Sequence, residues 1–171
     1  GTKYDFQISA LSAAGEGVRS SAVSISTAPA AVAQSSIASS LVTSTSMRLT
    51  WAAPTTAPGG AAPTGYIVHR NAGGSTPVST IAYDGTGSAT RVADITGLSG
   101  GFTYSFTEAA LSSAGQGVSS AVFTQSTAPA APTGLSSAGQ TATSINVTWT
   151  ASAESGGAAV TSYKVYRNDG L

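Results

Sequence analysis

Short stretches of this chain alternate apolar and polar residues, and clusters of Gly, Pro, Ser and Asn separate them. In one such stretch Met47, Leu49 and Trp51 alternate with Arg48 and Thr50. A period of two places successive side chains on opposite faces of a β-strand. We find no stretch with the period of an amphipathic helix. The pattern therefore predicts an all-β protein, built as an antiparallel sandwich.

The middle of the chain contains enough alternating stretches for seven strands. A loop rich in Pro and Gly, residues 52–63, separates the second from the third, because such residues interrupt regular structure. The predicted strands are residues 37–42, 46–51, 64–70, 78–83, 91–95, 104–111 and 118–127.

The sequence also repeats itself after roughly 100 residues, which is typical of a tandem array of domains. Residues 1–31 align without a gap on residues 101–131, STSMRLTWAAP around Trp51 matches ATSINVTWTAS around Trp149, and GYIVHRNAGG matches SYKVYRNDG. The repeat predicts one complete central unit, residues 32–128. Residues 1–31 are predicted to be the end of a preceding unit, and residues 129–171 the beginning of a following one.

Several motifs together resemble fibronectin type III modules. They are LTW and VTW, the following YIVHR and YKVYR, the TGL turn ahead of Tyr104, the Y-x-F strand that leads into an AxxxxGxG hairpin, and the closing STAPAAP. The resemblance covers the whole chain and implies immunoglobulin-like sandwiches in tandem, with strands A, B and E facing C′, C, F and G. It implies only strands F and G for residues 1–31, and strands A, B and C for residues 129–171.

The resemblance also implies a set of buried aromatic residues. Tyr104 and Tyr4 fall at the family's tyrosine corner, in which the ring is packed and the hydroxyl bonds to upstream backbone. The expected structural core residues are Trp51, Tyr66, Tyr104, Phe106, Trp149, Tyr163 and Tyr4.

One acidic residue departs from this pattern. Glu108 takes the inward position that Ile8 occupies in the first copy, and an unpaired buried carboxylate is costly. Its partner could be Arg70, the indole N–H of Trp51 or a water molecule, or a bulge could turn it outward. A functional role is the remaining alternative.

Charge and composition exclude several function classes. Seven Lys and Arg balance seven Asp and Glu, so no basic surface favours nucleic acid or an anionic membrane. The chain has no cysteine and one histidine, His69, so we predict no metal, no cofactor and no catalytic triad.

The glycine pairs and the scattered aspartates do not indicate a binding loop. We interpret Gly59-Gly60, Gly73-Gly74 and Gly156-Gly157 as turn glycines. Asp84, Asp94 and Asp169 are too isolated along the chain to form a calcium loop.

Only 8% of residues are charged, and hydroxyl-bearing residues are frequent. Glycans, burial in a larger assembly, or the hydroxyl-rich surface itself could keep the chain soluble; we favour the first two. Asn146-Val147-Thr148 is an N-glycosylation sequon. Thr55, Thr56, Thr27 and Thr127 are candidate O-glycosylation sites, because hydroxyls beside proline suit O-linked sugars.

These observations predict a non-enzymatic structural segment of an extracellular or cell-surface protein, which builds a filament, stalk or fibre. Its partners would be copies of itself or other chains of a surface assembly, and glycans. One alternative is an adhesin or receptor ectodomain that binds protein or carbohydrate through a sheet edge, the 52–63 loop or the 112–117 hairpin. The other is a set of accessory modules in a secreted polysaccharide-active enzyme.

Overall fold

The computed structural model describes residues 1–73, 78–153 and 157–168, and almost all regular structure within them is β. Gly74, Gly156 and Asp169, named above, lie outside the described residues. In chain order the strands are β1 Lys3–Phe6, β2 Leu11–Ser12, β3 Gly15–Glu16, β4 Val23–Ser26, β5 Ala38–Ser40, β6 Met47–Thr50, β7 Gly65–Ala72, β8 Thr80–Asp84, β9 Val92–Ile95, β10 Thr103–Ser112, β11 Gly115–Gln116, β12 Phe123–Ser126, β13 Thr133–Gln140 and β14 Ile145–Thr150. A short 3-10 turn, Gln34–Ser36, precedes β5.

The central unit is a two-sheet sandwich. A three-stranded sheet has the order β5-β6-β9, and a five-stranded sheet has the order β11-β10-β7-β8, with β12 also paired to β10. The pairs within both sheets are antiparallel. The predicted all-β sandwich, with strands A, B and E opposite C′, C, F and G, is confirmed.

The last predicted strand, residues 118–127, is interrupted. β11 and β12 lie on the same edge of β10, and residues 117–122 between them are outside any strand. Their connection stays bonded to β10, because Gly117 N–H donates to Ala110 O at 2.8 Å and Ser120 N–H donates to Glu108 O at 2.7 Å. The Ser120 hydroxyl accepts from Glu108 N–H at 3.0 Å in place of a backbone carbonyl, which explains the local irregularity.

The core lies between the two sheets and is made mostly of alternating strand residues, as the pattern predicts. Within the core, the Trp51 ring meets the Tyr66 ring edge-on at a centroid distance of 5.5 Å and meets the Tyr83 ring at 6.4 Å. Each large side chain buried in this way contributes about 1.5–3 kcal/mol. The buried cluster comprises Val32, Ile37, Met47, Leu49, Trp51, Tyr66, Val68, Ala93, Ile95, Leu98, Tyr104, Phe106 and Ala110.

Residues 1–31 repeat the pairing of the corresponding central strands. Tyr4 pairs with Ile25 in β1 and β4, and Tyr104 pairs with Gln125 at the same register in β10 and β12. β2 and β3 form the equivalent hairpin tip. Tyr4 is 51% exposed, so its expected core position is wrong for this chain. The reason is that no facing sheet covers β1 and β4 in the described residues.

At the other end of the chain, β13 and β14 pair antiparallel. Residues 161–168 form no strand, so the expected strand C is wrong for this chain. In the central unit strand C pairs with strand F, and the described residues after β14 contain no strand with which residues 161–168 could pair. Trp149 is only half-buried and Tyr163 is 38% exposed, so neither takes its expected place in a closed core.

Candidate functional site

Glu108 is the most unusual polar residue of the central unit. It lies in β10 opposite Val68 and is only 2% exposed, so the outward bulge is wrong. Arg70 does not pair with it; the Arg70 guanidinium lies 5.6 Å from the ring centroid of Tyr104. The Trp51 indole N–H and the Glu108 Oε1 atom are both buried without a hydrogen-bond partner, so the Trp51 alternative is wrong as well. A water partner stays a prediction.

Burial explains the protonation state of this carboxyl. Desolvation raises the pKa of Glu108 to about 9, because the interior disfavours the charged form. At neutral pH the side chain is therefore a neutral carboxylic acid. Burial also raises the pKa of Tyr66, with a smaller contribution from Glu108. Because Glu108 is enclosed by the core, it cannot reach a substrate. We therefore interpret it as an unusual core residue and not as part of a functional site.

The turn before β10 positions Tyr104 at a tyrosine corner. Tyr104 is 4% exposed, and its hydroxyl oxygen accepts a hydrogen bond from Ser99 N–H at 2.9 Å. Gly97 has a φ of 67°, which favours glycine in this turn. Leu98 N–H donates to Thr45 O at 3.0 Å and ties the turn to the opposite sheet. The corner therefore fixes the position of strand F against the neighbouring sheet.

The candidate glycosylation sites differ in exposure. Thr127 is 1% exposed, and its Oγ1 donates to Ser99 O at 2.7 Å and accepts from Phe102 N–H at 3.1 Å. O-glycosylation of Thr127 is therefore wrong, since the hydroxyl is both enclosed and bonded. Thr27, Thr55, Thr56 and Asn146 are exposed, and their modification stays a prediction.

Other chemistry has little support in the described residues. Within them, no group of three or more His, Cys, Asp or Glu is arranged to hold a metal ion. The half-buried His69 lies in β7 opposite Thr107. Among the same residues, no helix has the length and apolar character to cross a membrane.

A groove of about 290 Å³ lies in the C-terminal segment and is lined by residues that include Leu135, Trp149 and Tyr163. The Trp149 and Tyr163 rings meet edge-on at 5.5 Å and 63°, close to the 5.5 Å and 68° of Trp51 and Tyr66. Since the equivalent pair in the central unit is covered by the facing sheet, we interpret this groove as the open side of a core.

The two loops named above as possible binding surfaces both contact the segment formed by residues 1–31, which is predicted to end a preceding unit. In the 52–63 loop, Ala57 N–H donates to Gly1 O at 3.1 Å. In the hairpin after β10, Gly117 lies so close to Pro29 that an added Cβ would be 2.5 Å from the Pro29 oxygen. Neither loop is a free surface where these contacts occur. This junction was not expected from the sequence, because the Gly59-Gly60 pair was interpreted as turn glycines and the order of residues does not place Gly1 beside it.

The segment that leads out of the central unit is also held by backbone bonds. Thr127 N–H donates to Phe102 O, Gly101 N–H donates to Ala128 O, and Ala128 N–H donates to Thr43 O, at 2.9 Å, 2.9 Å and 3.0 Å. These bonds tie the connecting segment to the turn before β10 and to the loop between β5 and β6. The chain after residue 128 therefore leaves the sandwich at a fixed point.

Comparison with known proteins agrees with this architecture. The chain is 31% identical over 192 aligned positions to Exoglucanase B of Cellulomonas fimi, and the match covers 97% of this chain but 16% of that enzyme. The chain thus spans about a sixth of the length of this relative. Among solved structures, titin domains align with a TM-score of 0.52 at 20% identity, over 63% of this chain and 36% of theirs.

The sixth fibronectin type III domain of human fibronectin type III domain containing protein 3 aligns with a TM-score of 0.49 at 27% identity, over 63% of this chain and 92% of that domain. Residues 33–126 match the family described as fibronectin type III domain, and this range is more than half of the chain. The chain therefore belongs to the fibronectin type III family.

Proposed function

We propose that this chain is a non-catalytic spacer segment, in which consecutive fibronectin type III units form a stiff rod. The observation that carries the proposal is the contact of both candidate binding loops with the preceding unit. A loop that is occupied by its own neighbour supports a structural role better than a ligand-binding one. The division into a central unit, residues 32–128, and two partial flanking units belongs to the same proposal.

The similarity to Exoglucanase B supports a specific setting for such a spacer. The match spans nearly the whole of this chain but a minor part of the enzyme, which is the relation expected of an accessory region. Fibronectin type III domains are typically non-catalytic modules. A second candidate function is therefore a spacer that separates the domains of a secreted polysaccharide-active enzyme. Both candidates imply an extracellular location.

Electron microscopy of the full protein that carries this segment tests the rod. Each unit should add roughly 35 Å, from about ten residues per strand at about 3.3 Å each. Units folded back on each other, or a freely jointed string, would contradict the proposal.

Binding measurements separate the spacer from the adhesin alternative. We expect the 171-residue chain to show no saturable binding to insoluble cellulose or to a glycan panel. The matched variant Thr55→Ala/Thr56→Ala, which changes the exposed tip of the 52–63 loop, should behave identically. Saturable binding that this variant abolishes would favour the adhesin alternative and contradict the spacer.

A further inference from the structure

The junction between units depends on a close approach of two glycine backbones. A Cβ added to Gly60 would lie 2.1 Å from the Gly1 oxygen, which is well inside van der Waals contact. The obstructing atom is main chain, so no side-chain rotation could relieve the overlap. Gly60 does not have a positive φ, so its own loop conformation does not demand glycine. The neighbouring unit is therefore the reason that only glycine fits at this position.

The same contact occurs a second time at the other end of the central unit. A Cβ added to Gly157 would lie 2.4 Å from the Gly101 oxygen, and Gly157 also lacks a positive φ. By the sequence repeat, Gly157 corresponds to Gly60 and Gly101 corresponds to Gly1. Both carbonyls also accept a hydrogen bond from the facing loop, but from different positions in it: Gly1 O accepts from Ala57 N–H at 3.1 Å, and Gly101 O accepts from Gly157 N–H at 3.0 Å. The close approach of the two glycines therefore recurs, although the donor differs.

Two further glycines bring the connecting segments against the units. A Cβ on Gly117 would lie 2.5 Å from Pro29 O, and a Cβ on Gly100 would lie 2.7 Å from Ala130 N. Contacts on the loop side and on the linker side restrict both bending and rotation of one unit relative to the next. A linker alone would restrict only the distance between them.

We propose that the glycine of the loop between strands B and C is an interlock, whose partner is the glycine that precedes strand F of the preceding unit. This inference rests on the proposed spacer function. The interlock would give the rod a fixed orientation of each unit relative to the next. The contact is formed by uncharged main chain, whereas the ion pairs Lys3–Asp5 and Arg48–Asp94 each join residues of a single unit. The orientation should therefore be insensitive to ionic strength.

Disulfide trapping in the full chain tests the interlock directly. A Cβ on Gly59 would lie 3.7 Å from Lys3 Cβ, which falls within the range of about 3.5–4.5 Å that a disulfide requires. The chain has no cysteine of its own, so Lys3→Cys/Gly59→Cys has no competing thiol. Gly59 has a φ of 73°, which strains any L side chain, so the single variant Gly59→Cys is the control and must retain cooperative unfolding. We expect the double variant to form the intramolecular disulfide under mild oxidation, equally at low and high salt. Failure to form it while Gly59→Cys remains folded would overturn the inference.

The steric part of the inference is tested by adding a second substitution to the same variant. Gly60→Ala should slow disulfide formation by about tenfold, because the added methyl group cannot be accommodated at the contact. Ala62→Ser is the matched control, since it adds one atom at an exposed position of the same loop and should leave the rate unchanged. An equal rate with Gly60→Ala would overturn the interlock. If Gly60→Ala also lowers the melting temperature of the sandwich, the disulfide rate no longer isolates the contact between units. The disulfide yield of Lys3→Cys/Gly59→Cys without Gly60→Ala then decides whether the interlock stands.

These outcomes are independent of those for the spacer proposal. If micrographs show rods but the disulfide does not form, the spacer proposal is supported and the interlock is rejected. Saturable ligand binding together with the disulfide would remove the spacer and leave the interlock.

Discussion

The substitution Glu108→Ile should stabilise the central unit. Glu108 is 2% exposed, its Oε1 has no hydrogen-bond partner, and the corresponding position of the first copy is Ile8. A buried polar atom without a partner costs about 1–3 kcal/mol. Isoleucine removes this cost and adds apolar contact, although its branched Cβ must fit the space of a longer side chain.

The raised pKa of Glu108 makes the free energy of unfolding of the central unit depend on pH. In the unfolded chain Glu108 titrates near its ordinary value of 4.5, whereas burial raises the folded pKa to about 9. Between these values the folded state holds a proton that the unfolded state has released. The stability is therefore greatest below the unfolded pKa, and it falls as pH rises by about 1.4 kcal/mol per unit until the folded pKa is passed.

At pH 7, about 2.5 units above the unfolded pKa, the pH-dependent part amounts to about 3.5 kcal/mol, and the unsatisfied oxygen adds about 1–3 kcal/mol. After a loss of about 1–3 kcal/mol to imperfect packing, Glu108→Ile should gain about 2–5 kcal/mol. For a unit of this size the melting temperature should rise by at least about 8 °C. The assay is calorimetric unfolding from pH 5 to pH 8. The parent should lose stability across this range, and the variant should lose much less.

Glu16→Gln is the control for this test. It changes an exposed acid that is paired with Arg19, and it should leave the pH profile of the unfolding free energy unchanged. An unchanged or lower melting temperature for Glu108→Ile would refute the assignment of a buried, unpaired carboxyl. A flat pH profile in the parent would refute the raised pKa.

Three other substitutions test the packing of the same unit. Tyr104→Phe removes the bond from Ser99 N–H and should cost about 1–3 kcal/mol in urea unfolding, because that amide is left without its partner; no loss would contradict the tyrosine corner. Trp51→Ala should cost about 3–5 kcal/mol by the same measurement, and a smaller loss would show that the core does not depend on this ring. Arg48→Ala removes an exposed pair with Asp94, whose pKa is lowered by the Arg48 bond. Its small effect should disappear in high salt, and it should fade as pH falls from the ordinary aspartate pKa through the lowered pKa of Asp94; an effect that persists below the lowered pKa would contradict this assignment.

Most strands could be predicted from the sequence, because the alternation of apolar and polar residues can be read along the chain. It does not depend on which residues become neighbours in space. The expected segments 46–51 and 91–95 correspond to β6 and β9 to within one residue at either end. Irregular elements were less predictable. Leu41, with a φ of 48°, lies just beyond β5 and inside the segment predicted as the first strand, and the break between β11 and β12 depends on a Ser120 hydroxyl bond that crosses to β10.

The alternation of residues along the strand is enough to identify Glu108 as an inward acid. It does not decide among the alternatives for its partner, because the distance from a carboxyl to Arg70 or Trp51 depends on how two sheets pack. The same limit applies to Thr127: a hydroxyl next to proline looks available in sequence, but the return of the chain past Ser99 and Phe102 encloses it.

The alternation of apolar residues was thus enough to specify the kind of fold and the number of layers, and the repeat predicts the succession of units, since all of these follow from the order of residues along the chain. The role of Gly60 and Gly157 was not accessible in this way. Each appears in sequence as an ordinary turn residue, and the backbone that makes glycine necessary there belongs to a different unit, which is far away along the chain and in contact only after folding.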